Sequence, residues 1–136
     1  MKKILVPFDG SESSLRALRY AMTLADDIQI VNVQPKADAP ALLLHMTQDD
    51  IDRMQVGHGQ SLLAGARKVL DDAKYSYRPH VLIGEPAPTI VQLATSERVD
   101  AIVMGTRGMT AVGNLVMGSV ATKVVHFARV PVTLVK

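Results

Sequence analysis

The sequence predicts an α/β protein with a doubly wound, mostly parallel five-stranded sheet and helices on both faces. Two observations carry this. Short runs rich in Val, Ile and Leu alternate with longer stretches whose apolar residues recur at helical spacing. The runs are nearly continuous in apolar residues rather than alternating, as strands buried on both faces require.

Ile4–Phe8 is the first strand, closed by the turn-forming Pro7-Phe8-Asp9-Gly10. Leu15, Leu18, Met22 and Ala25 then repeat at helical spacing, which predicts a helix over Ser11–Ala25. Asp9, with Glu12 three residues on, has the pattern of a capping box with Asp as N-cap. Ile28–Val33 is the second strand. Gln34–Gln48, with Pro35, Pro40 and Leu42-Leu43-Leu44, is a long connection whose leucines read as a satellite core. Asp49–Ala73 is a long helix weakened by Gly57, Gly59 and Gly65. Tyr77–Ile83 is a third strand, and Pro79 inside it points to a sheet edge. Gly84-Glu85-Pro86 opens a helix with Ile90, Val91, Leu93 and Ala94 as its buried stripe. Ala101–Met104, Ser119–Ala128 and Val130–Val135 complete the order β-α-β-α-β-α-β-α-β, and such alternation builds a parallel sheet.

Composition narrows the function. A length of 136 residues suits one domain, residues 1–136, with one core. Only 4% of residues are aromatic, so that core is aliphatic. Fifteen basic residues oppose thirteen acidic ones without clustering, which argues against nucleic-acid binding. The absence of cysteine excludes disulfides, thiolate metal sites and a cysteine nucleophile. The apolar run after Met1-Lys2-Lys3 is too short for a signal or membrane segment, so a cytoplasmic protein is expected. His45, His58, His80 and His126 show no metal-ligand spacing, and Gly57-His58-Gly59 lacks the context of a dinucleotide fingerprint. Lys123 is not a Walker lysine and reads as a solvated side chain.

The chemistry concentrates after the fourth strand. Gly105-Thr106-Arg107-Gly108 is followed by nine residues and then Gly118-Ser119 at the start of the last helix. Glycines permit positive φ and close backbone approach, Ser119 offers a hydroxyl, and the helix start favours an anion. Arg107 adds a cation near a phosphate. The same residues also read as turn glycines and a helix N-cap. In doubly wound sheets ligands lie beyond the strands' carboxyl ends where the winding reverses, so the Pro7–Ser11 loop and this glycine loop flank one crevice.

Taken together, Ile4-Leu5-Val6-Pro7-Phe8-Asp9-Gly10-Ser11, Gly84-Glu85-Pro86 and Gly105-x2-Gly108-x9-Gly118-Ser119 resemble the small, single-domain, ATP-binding branch of the universal stress protein family. The resemblance spans the chain and implies strand order 3-2-1-4-5. It implies ATP, with Mg²⁺, as cofactor. The implied contacts are Pro7 and Asp9 on the first loop, with Asp9 against adenosine, and the Val33 backbone against the adenine edge. Gly105, Gly108, Gly118 and Ser119 would hold ribose and phosphates. It also implies a homodimer through Val130–Val135. Asn32 stands where the family often has a His, and the Asp26-Asp27-Ile28 link is short. No hydrolytic machine assembles from these residues, so a regulatory ATP-binding protein is expected rather than an enzyme. Two alternatives stand beside it: an adenine-nucleotide hydrolase, or an autophosphorylating protein using Ser119 or Thr106; and an interaction module with an empty cleft.

Overall fold

The computed structural model describes residues 2–37, 45–106 and 118–136. Its elements are β1 (Lys3–Pro7), α1 (Glu12–Met22), β2 (Asp27–Gln34), α2 (Gln48–Asp72), β3 (Ser76–Ile83), α3 (Pro86–Ser96), β4 (Ala101–Gly105), α4 (Ser119–Phe127) and β5 (Val132–Val135). The five strands form one sheet in the order β3-β2-β1-β4-β5, and every pairing is parallel. The edge position of β3 explains how Pro79 is accommodated, since it pairs with Ile30 on one side only.

The period-two alternation of side chains sorts the core into two layers. Ile4, Val6, Ile28, Ile30 and Val103 project to one face, where Leu18 and Ala21 of α1 and Leu63, Ala66 and Leu70 of α2 cover them. Leu5, Val31, Ile102 and Met104 project to the other, under Ala87, Ile90 and Ala94 of α3 and Ala121 and Val124 of α4. Leu63 and Leu70 are at most 1% exposed. Each contributes about 1.5–3 kcal/mol, which is how tertiary burial overrides the glycines of α2. Gly57 and Gly65 face open space, whereas a Cβ at Gly59 would stand 2.5 Å from Val81 Cγ1. That glycine lets α2 approach the sheet closely.

Several boundaries differ from the sequence reading. Helix α1 stops at Met22, with Thr23 as C-cap, although Ala25 continues the apolar pattern and is buried beyond the helix. Its N-cap is Ser11, whose Oγ accepts from Ser14 N–H at 3.1 Å, and not Asp9. Asp9 sits before the cap and accepts Ser11 N–H at 2.9 Å, while Glu12 is exposed and 3.7 Å from Arg16. A capping box does occur at α2, between Thr47 and Asp50, and the Thr47 bonds hold the Asp50 carboxyl below its ordinary range. The last strand begins at Val132, because Arg129-Val130-Pro131 serves as connection from α4. Leu42-Leu43-Leu44 lies outside the described residues.

Candidate functional site

The winding direction reverses between β1 and β4, which lie side by side with Ile4 opposite Ala101 and Leu5 opposite Ile102. Their two following segments therefore diverge and leave a cleft beyond the carboxyl ends of the strands. The cleft has a volume of about 270 Å³. Pro7, Phe8 and Asp9 come from the end of β1, Ser11 and Ser14 from the start of α1, and Val31–Val33 from β2. Opposite them stand Met104 and Gly105 of β4, Thr106 just after it, the N-cap Gly118 and Ser119–Ala121 of α4, with Pro86 and Ile90 of α3 closing the side.

The β1 loop is held in place by main-chain geometry. Phe8 N–H donates to Val31 O at 2.8 Å, and its carbonyl accepts Asn32 Nδ2 at 2.9 Å. Asn32 Oδ1 in turn accepts from Gln34 Nε2 at 2.6 Å. These buried bonds extend the β1–β2 ladder one residue past the strand and fix where Asp9 begins. Gly10 then takes φ +85°, the left-handed region in which a Cβ is strained, and the chain turns into α1.

The other wall is built by Thr106. Its N–H donates to Val135 O at 3.0 Å and its carbonyl accepts Gly118 N–H at 2.7 Å, so it ties β4, β5 and the start of α4 together. Gly118 is the N-cap of α4 and no described side chain caps the helix. Its own N–H is spent on Thr106, so the free amides at this end are those of Ser119, Val120 and Ala121. These carry the positive end of the helix dipole into the cleft. Thr106 Oγ1 is buried and has no hydrogen-bond partner among the described residues.

Pro7, Asp9, Val33, Gly105, Gly118 and Ser119 thus line one cleft, as the sequence reading expects. Arg107 and Gly108 lie outside the described residues. The physical role of two glycines differs from that reading. Among the described glycines only Gly10 has positive φ, so neither Gly105 nor Gly118 is needed for a left-handed turn. A Cβ on Gly105 would stand 2.2 Å from Ser13 Oγ and 2.8 Å from the Ser13 carbonyl carbon, so this glycine admits α1 against β4. At Gly118 a Cβ would meet, among the described residues, only Thr106 O, at 3.5 Å, which is ordinary contact. Sequence reasoning missed Asn32 as the clamp on the β1 loop. No sequence signal marks it beyond a polar residue in an otherwise apolar strand.

Among the described residues no group of three or more His, Asp or Glu side chains could hold a metal ion, and no helix is long and apolar enough to cross a membrane. His80 is not a site residue. It lies on edge strand β3 with Nε2 2.6 Å from Gln29 Oε1 and 3.4 Å from Glu97 Oε1.

Comparison with known proteins agrees with this architecture. The family model described as the universal stress protein family matches residues 1–136. Universal stress protein MJ0531 of Methanocaldococcus jannaschii is 34% identical over 142 residues, covering 99% of this chain and 82% of that one. Among solved structures, MJ0577 of the same organism superposes with a TM-score of 0.86 at 26% identity, covering 99% of this chain and 95% of the other. The universal stress protein from Archaeoglobus fulgidus, solved in complex with dAMP, superposes with a TM-score of 0.73 at 25% identity, covering 100% and 98%. The chain belongs to the universal stress protein family.

Proposed function

We propose that this chain binds an adenine nucleotide, ATP with Mg²⁺, in the switch-point cleft and works in the cytoplasm as a nucleotide-responsive regulatory protein rather than an efficient enzyme. The observation that carries the proposal is the uncapped start of α4, with three main-chain amides facing the cleft that Asp9 and Val33 line from the other side. The site fits the ligand in two further respects. Gly118 leaves room for close approach, and Thr106, another lining residue, has a buried hydroxyl without a partner among the described residues. The dAMP complex of the Archaeoglobus fulgidus relative supports the adenine preference. Mg²⁺ would be carried by phosphate oxygens and water, since such ions need few protein ligands beside a triphosphate.

Asp9 would meet the nucleoside and the α4 amides the phosphates. Bound nucleotide would then bridge the β1 loop and the start of α4. The same reading places a second copy against β5. Val132–Val135 is one of the two edge strands and is half-buried.

The experiment is a measurement of nucleotide released on denaturing the purified protein, followed by calorimetric titration with ATP, ADP and AMP and a turnover assay with Mg-ATP. Saturable binding with no more than stoichiometric product supports the proposal. Absence of binding refutes the nucleotide reading, and many turnovers per chain refute the regulatory one.

A further inference from the structure

Strand β2 ends in two buried polar residues, Asn32 and Gln34, which are 4% and 8% exposed. Ile28 and Ile30, on the same side of the pleat, are core residues packed under α1 and α2, so an apolar side chain is expected at position 32. A buried amide is costly unless its donor and its acceptor are both paired. Here both are. Asn32 Nδ2 donates to Phe8 O at 2.9 Å, and Asn32 Oδ1 accepts from Gln34 Nε2 at 2.6 Å. A carbonyl only accepts, which fixes the end of the Asn32 amide that faces Phe8 and leaves the other end for Gln34. The bonded carbonyl is the last main-chain group before Asp9. On the far side of Asp9, Ser11 N–H donates to its Oδ1 at 2.9 Å. Helix α2 lies against this turn. A Cβ at Gly59 would stand 3.0 Å from Asn32 Oδ1, and one at Gly10 would stand 3.4 Å from Leu62 Cδ2. Helix α2 thus supports the β1 loop through Asn32 on one side of Asp9 and at Gly10 on the other, although among the described residues that line the cleft none belongs to α2.

We infer that Asn32 is a positioning residue: its amide, held by Gln34, sets where Asp9 stands and so governs affinity for the nucleoside half of the ligand while leaving the phosphate half alone. The inference rests on the nucleotide reading above. Both ends of the Asn32 amide are spent on the protein, so the residue acts through Phe8 and Asp9. The phosphate half is separate, because the Ser119–Ala121 amides stand on α4, across the cleft. A turn fixed before the ligand arrives need not be ordered on binding, which is how a bond outside the contact surface changes affinity.

The test uses Asn32→Leu, which keeps the size and deletes both polar ends, Gln34→Leu, and the two changes combined. Each full-length chain, freed of nucleotide, is followed by amide hydrogen exchange and thermal unfolding, then titrated with adenosine and with inorganic tripolyphosphate. Asn32→Leu should speed exchange of the Ser11 amide, which reports the turn at Asp9, by about fivefold or more. It should weaken adenosine by a similar factor and leave tripolyphosphate unchanged. Gln34→Leu should show the same split at smaller amplitude. The combined variant should recover part of the midpoint lost in Asn32→Leu, since Gln34 no longer leaves a buried donor unpaired, yet recover neither adenosine affinity nor Ser11 protection. Unchanged Ser11 exchange, adenosine and tripolyphosphate weakened alike, or adenosine affinity that returns together with the midpoint would each reduce Asn32 to a purely structural role and overturn the inference, with the nucleotide reading left standing. A wild-type chain that binds neither probe overturns both.

Discussion

Replacing Gly105 by alanine tests which structural demand that glycine meets. The added Cβ would stand 2.2 Å from Ser13 Oγ, 2.8 Å from the Ser13 carbonyl carbon and 2.9 Å from Ser13 Cβ. A rotamer change can relieve the first contact. It cannot relieve the other two, because they involve backbone and Cβ of a buried residue in the first turn of α1. The helix must move off β4, and Ser13 and Ser14 with it. Overpacking of this kind costs about 1–3 kcal/mol. For a domain of this size each kcal/mol lowers Tm by roughly 3–4 °C, so Gly105→Ala should melt about 3–12 °C below wild type. The assay is thermal unfolding followed by circular dichroism, without nucleotide, so that linkage to ligand does not enter. Adding Ser13→Ala in the same chain removes the 2.2 Å contact only and should restore part of the loss. A Gly105→Ala midpoint within 1 °C or so of wild type would refute the packing explanation and return Gly105 to a purely ligand-facing role.

Three other outcomes follow from the same geometry. Gly118→Val should lower the ligand-free midpoint only by the roughly 1 kcal/mol that a poor N-cap residue costs, since among the described residues a Cβ there meets only Thr106 O at 3.5 Å, yet should weaken ATP at least tenfold by filling the approach to α4; unchanged affinity by titration counts against the phosphate assignment. Gly57→Ala and Gly65→Ala, at open positions within α2, should each stabilise by about 0.5–1 kcal/mol, read as a raised midpoint in thermal unfolding. His80 is pushed below the ordinary imidazole range by burial, against the opposing pull of the Glu97 carboxylate and with help from Arg78. The unfolded chain therefore takes up the proton first. The stability tied to neutral His80 is present above pH 6.5 and is lost as pH falls through that value towards the depressed folded one. His80→Gln should accordingly show a shallower fall in midpoint between pH 8 and pH 5 than wild type, and parallel curves would remove His80 from that account.

The sheet was legible because its two periodicities differ: continuous apolar runs such as Ile4-Leu5-Val6 cannot be confused with the spaced Leu15, Leu18 and Met22. Helix ends were less so. Ala25 extends the apolar spacing past Met22, and only the C-cap geometry at Thr23 shows that the burial continues without the helix. The N-cap was misplaced because Asp9 and Ser11 are both good caps, and the choice depends on the left-handed turn at Gly10 between them. The cleft itself was foreseen from strand order and loop position. Its chemistry was only partly so, since a hydrogen bond between Thr106 and Gly118, or between Asn32 and Phe8, joins positions that the sequence does not place together.

The two described glycines of the signature therefore divide the work. Gly105 is set by the fold: α1 must touch β4 for the β1 loop to reach the cleft at all, and Ser13 occupies the space a side chain would need. At Gly118 the described residues impose no such constraint, and under the proposed function the room there serves the approach of a phosphate. Under that proposal the motif joins one residue of scaffold to one of site. The same pattern of glycines would persist at position 105 in a relative that had lost its ligand, whereas position 118 would be free to change.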